Sequence, residues 1–316
     1  MVMKERMHSI AVSSAPLIPG SVGQPDLDLN EPSSWPALPD LRLARIALPA
    51  QSRYEGDRWS YLESGPDRAA PLLLLHGIGA DARYFRFQLA GLALRWRVIA
   101  WNAPGYGLSD PLRVSHPQAS DYAQAVADFL QALEIDTCVV VGHSFGSAVA
   151  QAFAIAHPGR VRGLLLSGTG IGQQQLSVQR RQSFEERVAL IRKGAYQYGD
   201  RGADHLLGAQ APVALRAWAT DLSRRLQAGG LQQAAAFRLS SFCSLDRAQA
   251  LTMPLCMVHG SEDTVNPRQD NADRLLAAVP QAQLQVWHGI GHLPEIEAPG
   301  LFNQTLSSFA QELQTS

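Results

Sequence analysis

Cysteine is scarce. Cys138, Cys243 and Cys256 are the only three in 316 residues. A small odd number makes a poor disulfide framework and suits a reducing compartment. No C-x-x-C or Cys/His cluster with zinc spacing accompanies them, so no metal site is expected. Charge is scarce too, at 17% of residues, and nearly balanced at a net −1. Without a basic excess, a general nucleic-acid footprint is not expected. Long hydrophobic runs are absent, which argues against a membrane span. At the N-terminus, Lys4 and Arg6 flank Glu5, and the apolar stretch that follows is broken by His8, Ser13 and Ser14. That is a poor secretory signal. The expectation is a soluble cytoplasmic protein without metal or organic cofactor.

What is present alternates. "PLLLLHG", "WRVIAWNAP", "VVVGHS" and "VRGLLLSG" read as apolar strands, and "LRLARIALP" and "RWSYLESG" as earlier ones. Between them "DARYFRFQLAGLAL" and "SDYAQAVADFLQAL" carry helical spacing, with Asp81 placed to cap the first. Such alternation predicts a parallel sheet with helices on both faces. At Ile171 the rhythm stops. Helical patterns alone fill the chain to Arg247, and strands resume with "PLCMVHGSED" and "AQLQVWHGIGH". The expected domains are an extended or partly disordered extension over 1–40, an α/β core over 41–170 and 248–316, and a helical cap over 171–247. Open α/β sheets bind ligands at their strands' carboxyl ends, where such a cap would lie.

The stretch "VVVGHSFGSAVAQ" carries the first chemical signal. A serine between a strand and a helix is ordinarily an N-cap. Capping does not call for Gly142 and Gly146 two residues to either side. A strained nucleophile elbow, G-x-S-x-G, does. A hydroxyl nucleophile then needs a base and a group to orient that base. Asp263 in "HGSEDTVNP" and His292 in "GIGHLPEIEAP" follow the last strands in the order serine, acid, histidine. Rivals exist. His288, Glu262 and Asp110 are alternatives for base and acid, His143 reads as pocket floor, and His76 and His259 read as histidines bonded to backbone. An oxyanion needs donors already in place, and the N–H of Phe145 at the start of the helix is one.

In their order, "HGIGADARYF", "VIAWNAPGYGLSD", "VVVGHSFGSAVAQ", "HGSEDTVNP" and "GIGHLPEIEAP" make the region from Leu41 to Leu313 resemble the α/β-hydrolase family. The resemblance implies an eight-stranded, mostly parallel sheet with a helical cap. It implies Ser144 as nucleophile, Asp263 as acid, His292 as base and the N–H of Ile78 as second oxyanion donor. Many relatives carry Asp where this chain has Asn102, a position that helps hold the turn. No acid stands at 144, which disfavours dehalogenase and epoxide-hydrolase chemistry.

The leading expectation is hydrolysis of a small-molecule carboxylic ester or lactone through an acyl-serine. The insert is similar to that of the 3-oxoadipate enol-lactonase branch. Alternatives are carbon–carbon bond hydrolysis of aromatic ring-cleavage products, acyl transfer by the same triad, or ligand binding without catalysis. His143, Tyr196 and Trp218 are candidate pocket residues, with Phe184 and Phe237 further wall candidates. The insert carries more basic residues, among them Arg216, Arg225 and Arg238, than acids such as Asp204 and Asp221. Most belong to solvated helix faces. One or two facing the cleft would favour a carboxylate-bearing substrate. The sequence leaves the oligomeric state open.

Overall fold

The computed structural model describes residues 27–46, 53–172, 178–193 and 203–315. Eight strands form one sheet: β1 (Leu41–Arg45), β2 (Arg58–Ser64), β3 (Pro71–Leu75), β4 (Arg97–Trp101), β5 (Cys138–His143), β6 (Val161–Ser167), β7 (Leu255–Gly260) and β8 (Ala282–Trp287). Their spatial order is β1-β2-β4-β3-β5-β6-β7-β8. The pairs β1–β2 and β2–β4 are antiparallel and the remaining five are parallel. This is the expected mostly parallel eight-stranded α/β sheet.

The apolar runs explain the centre. Strands covered on both faces need no polar alternation. Leu72, Leu73, Leu74 and Leu75 are all fully buried. Leu73 and Leu75 join the core on one face with Trp59, Phe129 and Phe153. Leu72 and Leu74 join the core on the other with Trp96, Phe87 and Phe302. Burying one such leucine is worth about 1.5–3 kcal/mol, so the centre of the sheet resists displacement.

The expected first helix splits into a 3-10 turn, Ala82–Phe85, and the short α1 (Arg86–Gly91). Asp81 does cap it, accepting the N–H of Arg83 at 3.0 Å. Next come α2 (Ala119–Ala132) and α3 (Phe145–Ala156). Between β6 and β7 lie α4 (Val178–Arg192), α5 (Val213–Arg224) and α6 (Ala228–Arg238). The two ends of this stretch meet: Gly172 bridges Cys243, and the N–H of Ser244 bonds the carbonyl of Ile171. Gln233 in α6 spans to the loop after β4, accepting from Leu112 N–H and donating to its carbonyl. The chain closes with α7 (Ala272–Ala278), α8 (Pro294–Glu297) and α9 (Pro299–Thr315).

The N-terminal extension is docked over its described part. Trp35 is buried, its indole N–H bonds the carbonyl of Asp28, and its ring packs edge-on against Phe87 and Trp218. Residues 1–26 lie outside the described residues. All three cysteines are free and buried. Among the described residues no helix is long and apolar enough to cross a membrane.

Candidate active site

Ser144 joins β5 to α3 with φ 52° and ψ −110°, a backbone region strained for any residue but glycine. Its side chain makes no capping bond, so the bland N-cap reading fails. The flanking glycines are required by contact. A methyl on Gly146 would lie 2.1 Å from the carbonyl oxygen of Leu75, and one on Gly142 2.5 Å from that of Gly146. The elbow is pressed against the end of β3. Ser147 fastens its far side, donating to the Ser144 carbonyl at 2.6 Å and accepting the N–H of Gly170 at 2.9 Å.

Asp263 follows β7. The N–H groups of Val265 and Asn266 bond its Oδ1 at 2.9 and 3.0 Å, and His292 Nδ1 sits 2.8 Å from Oδ2. Burial pushes this carboxyl up, but the His292 ring and these bonds outweigh it and hold it at about 2. An ionised Asp263 therefore fixes the imidazole proton on Nδ1 and leaves Nε2 as an acceptor. Gly168, with φ 49°, lies under the ring: a methyl there would be 2.8 Å from His292 Cε1. The N–H of His292 bonds the carbonyl of Leu206, and Glu297 gathers the N–H groups of Gly208, Gly291 and Leu293.

Ser144 and His292 line one cavity of about 290 Å³. Ile78 lines it from the loop after β3, where its carbonyl accepts the Tyr106 hydroxyl. Phe145 is the first residue of α3, and an N–H in the first turn has no acceptor within its helix. A serine, an imidazole oriented by a carboxylate, and two backbone N–H groups are the parts that acyl transfer uses.

The rivals separate. His288 is exposed past the end of β8. Glu262 accepts the N–H of Ala209 at the surface, and Asp110 is engaged by Arg58. His76 does bond backbone, accepting from Ala103 N–H and meeting the Gly77 carbonyl. His259 does not. It lies buried behind Asp263 at 3.8 Å, and neither ring nitrogen has a hydrogen-bond partner. His143 lines the cavity beside Ser144. Asn102 holds its turn by accepting from Ala82 N–H and donating to Ser60 Oγ.

Two pocket candidates fare differently. Trp218 is not on the cavity wall; its ring packs on Trp35 and Phe87 with Arg86 above it. Tyr196 lies outside the described residues, as does the side chain of Phe184. Phe237 is core, against Tyr122 and Phe145. Sequence reasoning missed Glu295, which is fully buried beside the cavity floor and bonded by Tyr84 and Ser167. Its only signal was its place three residues after His292.

Comparisons with known proteins identify the family and the fold. Residues 70–299 match the family described as alpha/beta hydrolase fold. An uncharacterised protein of Mycobacterium tuberculosis is 31% identical over 264 residues, covering 78% of this chain and 75% of its own. A 2-hydroxy-6-oxononadienedioate/2-hydroxy-6-oxononatrienedioate hydrolase of Cupriavidus pinatubonensis is 26% identical over 259 residues, covering 76% and 86%. A solved thermophilic esterase from Thermogutta terrifontis, malate bound, superposes with a TM-score of 0.74 at 20% identity, over 87% of this chain and 99% of that one. With its sheet order, its elbow and a family match spanning most of its length, the chain belongs to the α/β-hydrolase fold family and is a hydrolase of that fold.

Proposed function

We propose that the protein cleaves a small carboxylic ester or lactone through an acyl-serine intermediate. The observation that carries this reading is the strained Ser144 sharing a cavity with His292, whose Nδ1 is held 2.8 Å from the Asp263 carboxylate. Ser144 Oγ attacks the carbonyl carbon while His292 Nε2 takes its proton. The N–H groups of Phe145 and Ile78 receive the oxyanion. The carbon–oxygen bond to the alcohol breaks, and His292 returns the proton to the departing oxygen. Water then gives its proton to His292 and attacks the acyl-serine, the bond from the acyl carbon to Ser144 Oγ breaks, and His292 returns that proton to Ser144 Oγ as the acid leaves. Asp263 keeps the imidazole oriented throughout.

The segment 171–247 serves as the cap. Ser183, Leu222, Ser223 and Arg238 from it line the cavity. Arg238, the last residue of α6, brings a guanidinium to the cavity wall. No aspartate or glutamate lines the cavity among the described residues. This asymmetry favours an acyl group that carries a carboxylate. The dioate hydrolase among the relatives and the malate in the thermophilic esterase are consistent with it. The protein works in the cytoplasm without metal or organic cofactor, and its partner is the small-molecule ester or lactone.

Relatives named as dioate hydrolases favour a second reading, cleavage of a carbon–carbon bond in a ring-cleavage product by the same triad. A short p-nitrophenyl ester tests the first. Turnover that survives EDTA and disappears in Ser144→Ala, with a phosphonate labelling Ser144, is expected. Labelling elsewhere would overturn it. Turnover of diketone acids with no turnover of esters or lactones would select the second.

A further inference from the structure

Behind the cavity floor lies a second carboxylate–histidine arrangement that the hydrolytic scheme does not use. Glu295, Ser167 and Tyr84 are buried to within 1% of complete, and His143 to within 2%. The Tyr84 hydroxyl donates to Glu295 Oε2 at 2.7 Å, and the Ser167 hydroxyl donates to Oε1. His143 Nδ1 lies 3.2 Å from Ser167 Oγ. The ring is stacked on Tyr84 at 4.9 Å and 24°. His143 and Ser144 line the same cavity, and Nε2 is the ring nitrogen turned away from Ser167, beside Gly77: a methyl there would lie 3.2 Å from that nitrogen and 3.4 Å from Ser144 Cβ.

We propose that Glu295 and Ser167 are positioning residues that fix the proton of His143 on Nδ1, so that Nε2 meets the substrate as a hydrogen-bond acceptor beside Ser144. A serine hydroxyl has one proton. With that proton given to Glu295, Ser167 Oγ can only accept from His143, and the acceptor position on the ring falls on Nε2. The substrate clause rests on the proposed hydrolysis; the tautomer does not. The chemical class that gains is an ester whose acyl chain carries a hydroxyl near the carbonyl.

The ring stays neutral. Burial and the neighbouring His292 hold His143 well below the ordinary histidine range. Glu295 is different. Burial pushes its carboxyl up to about 7, against the bonds from Ser167 and Tyr84. The groups around it are Tyr84 from the turn after β3, Ser167 from β6, His143 from β5 and His292 ahead of α8, with the acids Glu297 and Asp263 beyond. Gln88 of α1 bonds its carbonyl. No lysine or arginine bonds its carboxylate among the described residues. Protonation on Oε1 reverses the chain. Glu295 takes one proton from solvent and donates to Ser167, and Ser167 donates to His143 Nδ1. His143 gives up its Nδ1 proton and gains one on Nε2, for a net uptake of one. The atom facing the substrate changes from acceptor to donor.

The test uses the full chain labelled with 15N-histidine. Long-range proton–nitrogen correlation reads the tautomer, and His143→Gln assigns the signal. The expected result is the Nδ1–H form at pH 8.5 and the Nε2–H form at pH 5.5, with the step lost in Glu295→Gln and in Ser167→Ala. The Nε2–H form at pH 8.5, no step in the native chain, or a step kept in Glu295→Gln would each overturn the relay. The second arm compares methyl lactate with methyl 2-methoxypropionate, which lacks the donor. The kcat/KM ratio should fall by about 3- to 10-fold from pH 8.5 to 5.5, the worth of one neutral hydrogen bond, and stay flat in Glu295→Gln. Two turned-over esters with a flat native ratio would overturn the substrate contact. If neither ester is turned over while the tautomer behaves as stated, the relay stands and hydrolysis of these esters falls.

Discussion

The sheet side and the insert side of the cavity are built by different means. On the sheet side, Ser144 and His143 sit at the end of β5, Ile78 follows β3, Asp263 follows β7 and His292 follows β8. Ser144 N–H bonds the Ser167 carbonyl, two N–H groups hold Asp263, and the Ile78 carbonyl accepts the Tyr106 hydroxyl. On the insert side, α4 packs against α6 through Val188, Ile191, Leu231 and Ala235, a small cluster apart from the two large cores. Bonds that join the sides near the site include Ser223 Oγ to the Gly79 carbonyl, His292 N–H to the Leu206 carbonyl, Gly208 N–H to Glu297 and Ala209 N–H to Glu262. In the proposed function the difference separates tasks. Reacting atoms demand placement within a fraction of an ångström, which register-locked strand ends supply. Substrate choice demands a surface that can vary, which helices packed by side chains supply.

The sharpest way to break that comparison is to remove chemistry from the sheet side. Ser144→Ala or His292→Ala should lower kcat by roughly 10^4-fold or more, and Asp263→Ala by less. The double variant Ser144→Ala/His292→Ala should lose no more than either single one, because the residues act as a unit. Steady-state kinetics with circular dichroism as a folding control makes the check. Multiplying losses, or near-native turnover in His292→Ala, would show that the sheet side is not the reacting side.

The insert side should respond in selectivity. Arg238→Gln should lower kcat/KM for mono-p-nitrophenyl glutarate by roughly 10- to 100-fold, the worth of a hydrogen bond to a charge. The neutral p-nitrophenyl valerate should change far less. Arg238→Lys should recover part of the difference, since it keeps the charge and loses the fork. Equal losses on both substrates would mean that Arg238 supports the fold and does not choose the substrate.

The same division explains what could be read from the chain. Strand identity is local: Val139, Val140 and Val141 in a row announce a buried strand, and the spacing of Gly142, Ser144 and Gly146 announces the elbow. Asp263 and His292 could be named because their loops carry short recognisable patterns. Glu295 could not. Two glutamates follow His292, at 295 and 297, and nothing nearby says which one turns inward. Its partners Tyr84 and Ser167 lie 211 and 128 residues away. His259 was read as bonded to backbone, because a histidine at a strand end ordinarily finds a carbonyl. Here Asp263 stands beyond hydrogen-bond reach, and the ring nitrogens are left unpartnered. Within the extension expected over 1–40, the sequence does not say where Trp35 docks; its ring meets Phe87 and Trp218.

Trp218 yields the smallest effect on catalysis and a useful one. Helical spacing in "APVALRAWATDLSRR" marks an apolar residue but not the neighbour it meets. The structure turns it from the cavity toward the extension, with Trp35 at 5.5 Å, Phe87 at 5.8 Å and the Arg86 guanidinium 5.3 Å above its ring. Aromatic pairs of this kind contribute about 0.5–1.5 kcal/mol each beyond their burial, and a cation over the ring about 0.5–1 kcal/mol. Trp218→Leu should therefore cost about 1–3 kcal/mol of stability, read as a lower urea midpoint. The ratio of kcat/KM between the charged and neutral esters should move by less than about 2-fold, within the spread of surface substitutions. Arg238 and Trp218 belong to the same insert, so the pair asks whether selectivity resides in the whole insert or in the face that meets the cavity. A shift in the ester ratio as large as that of Arg238→Gln, with the urea midpoint unchanged, would place Trp218 at the substrate after all.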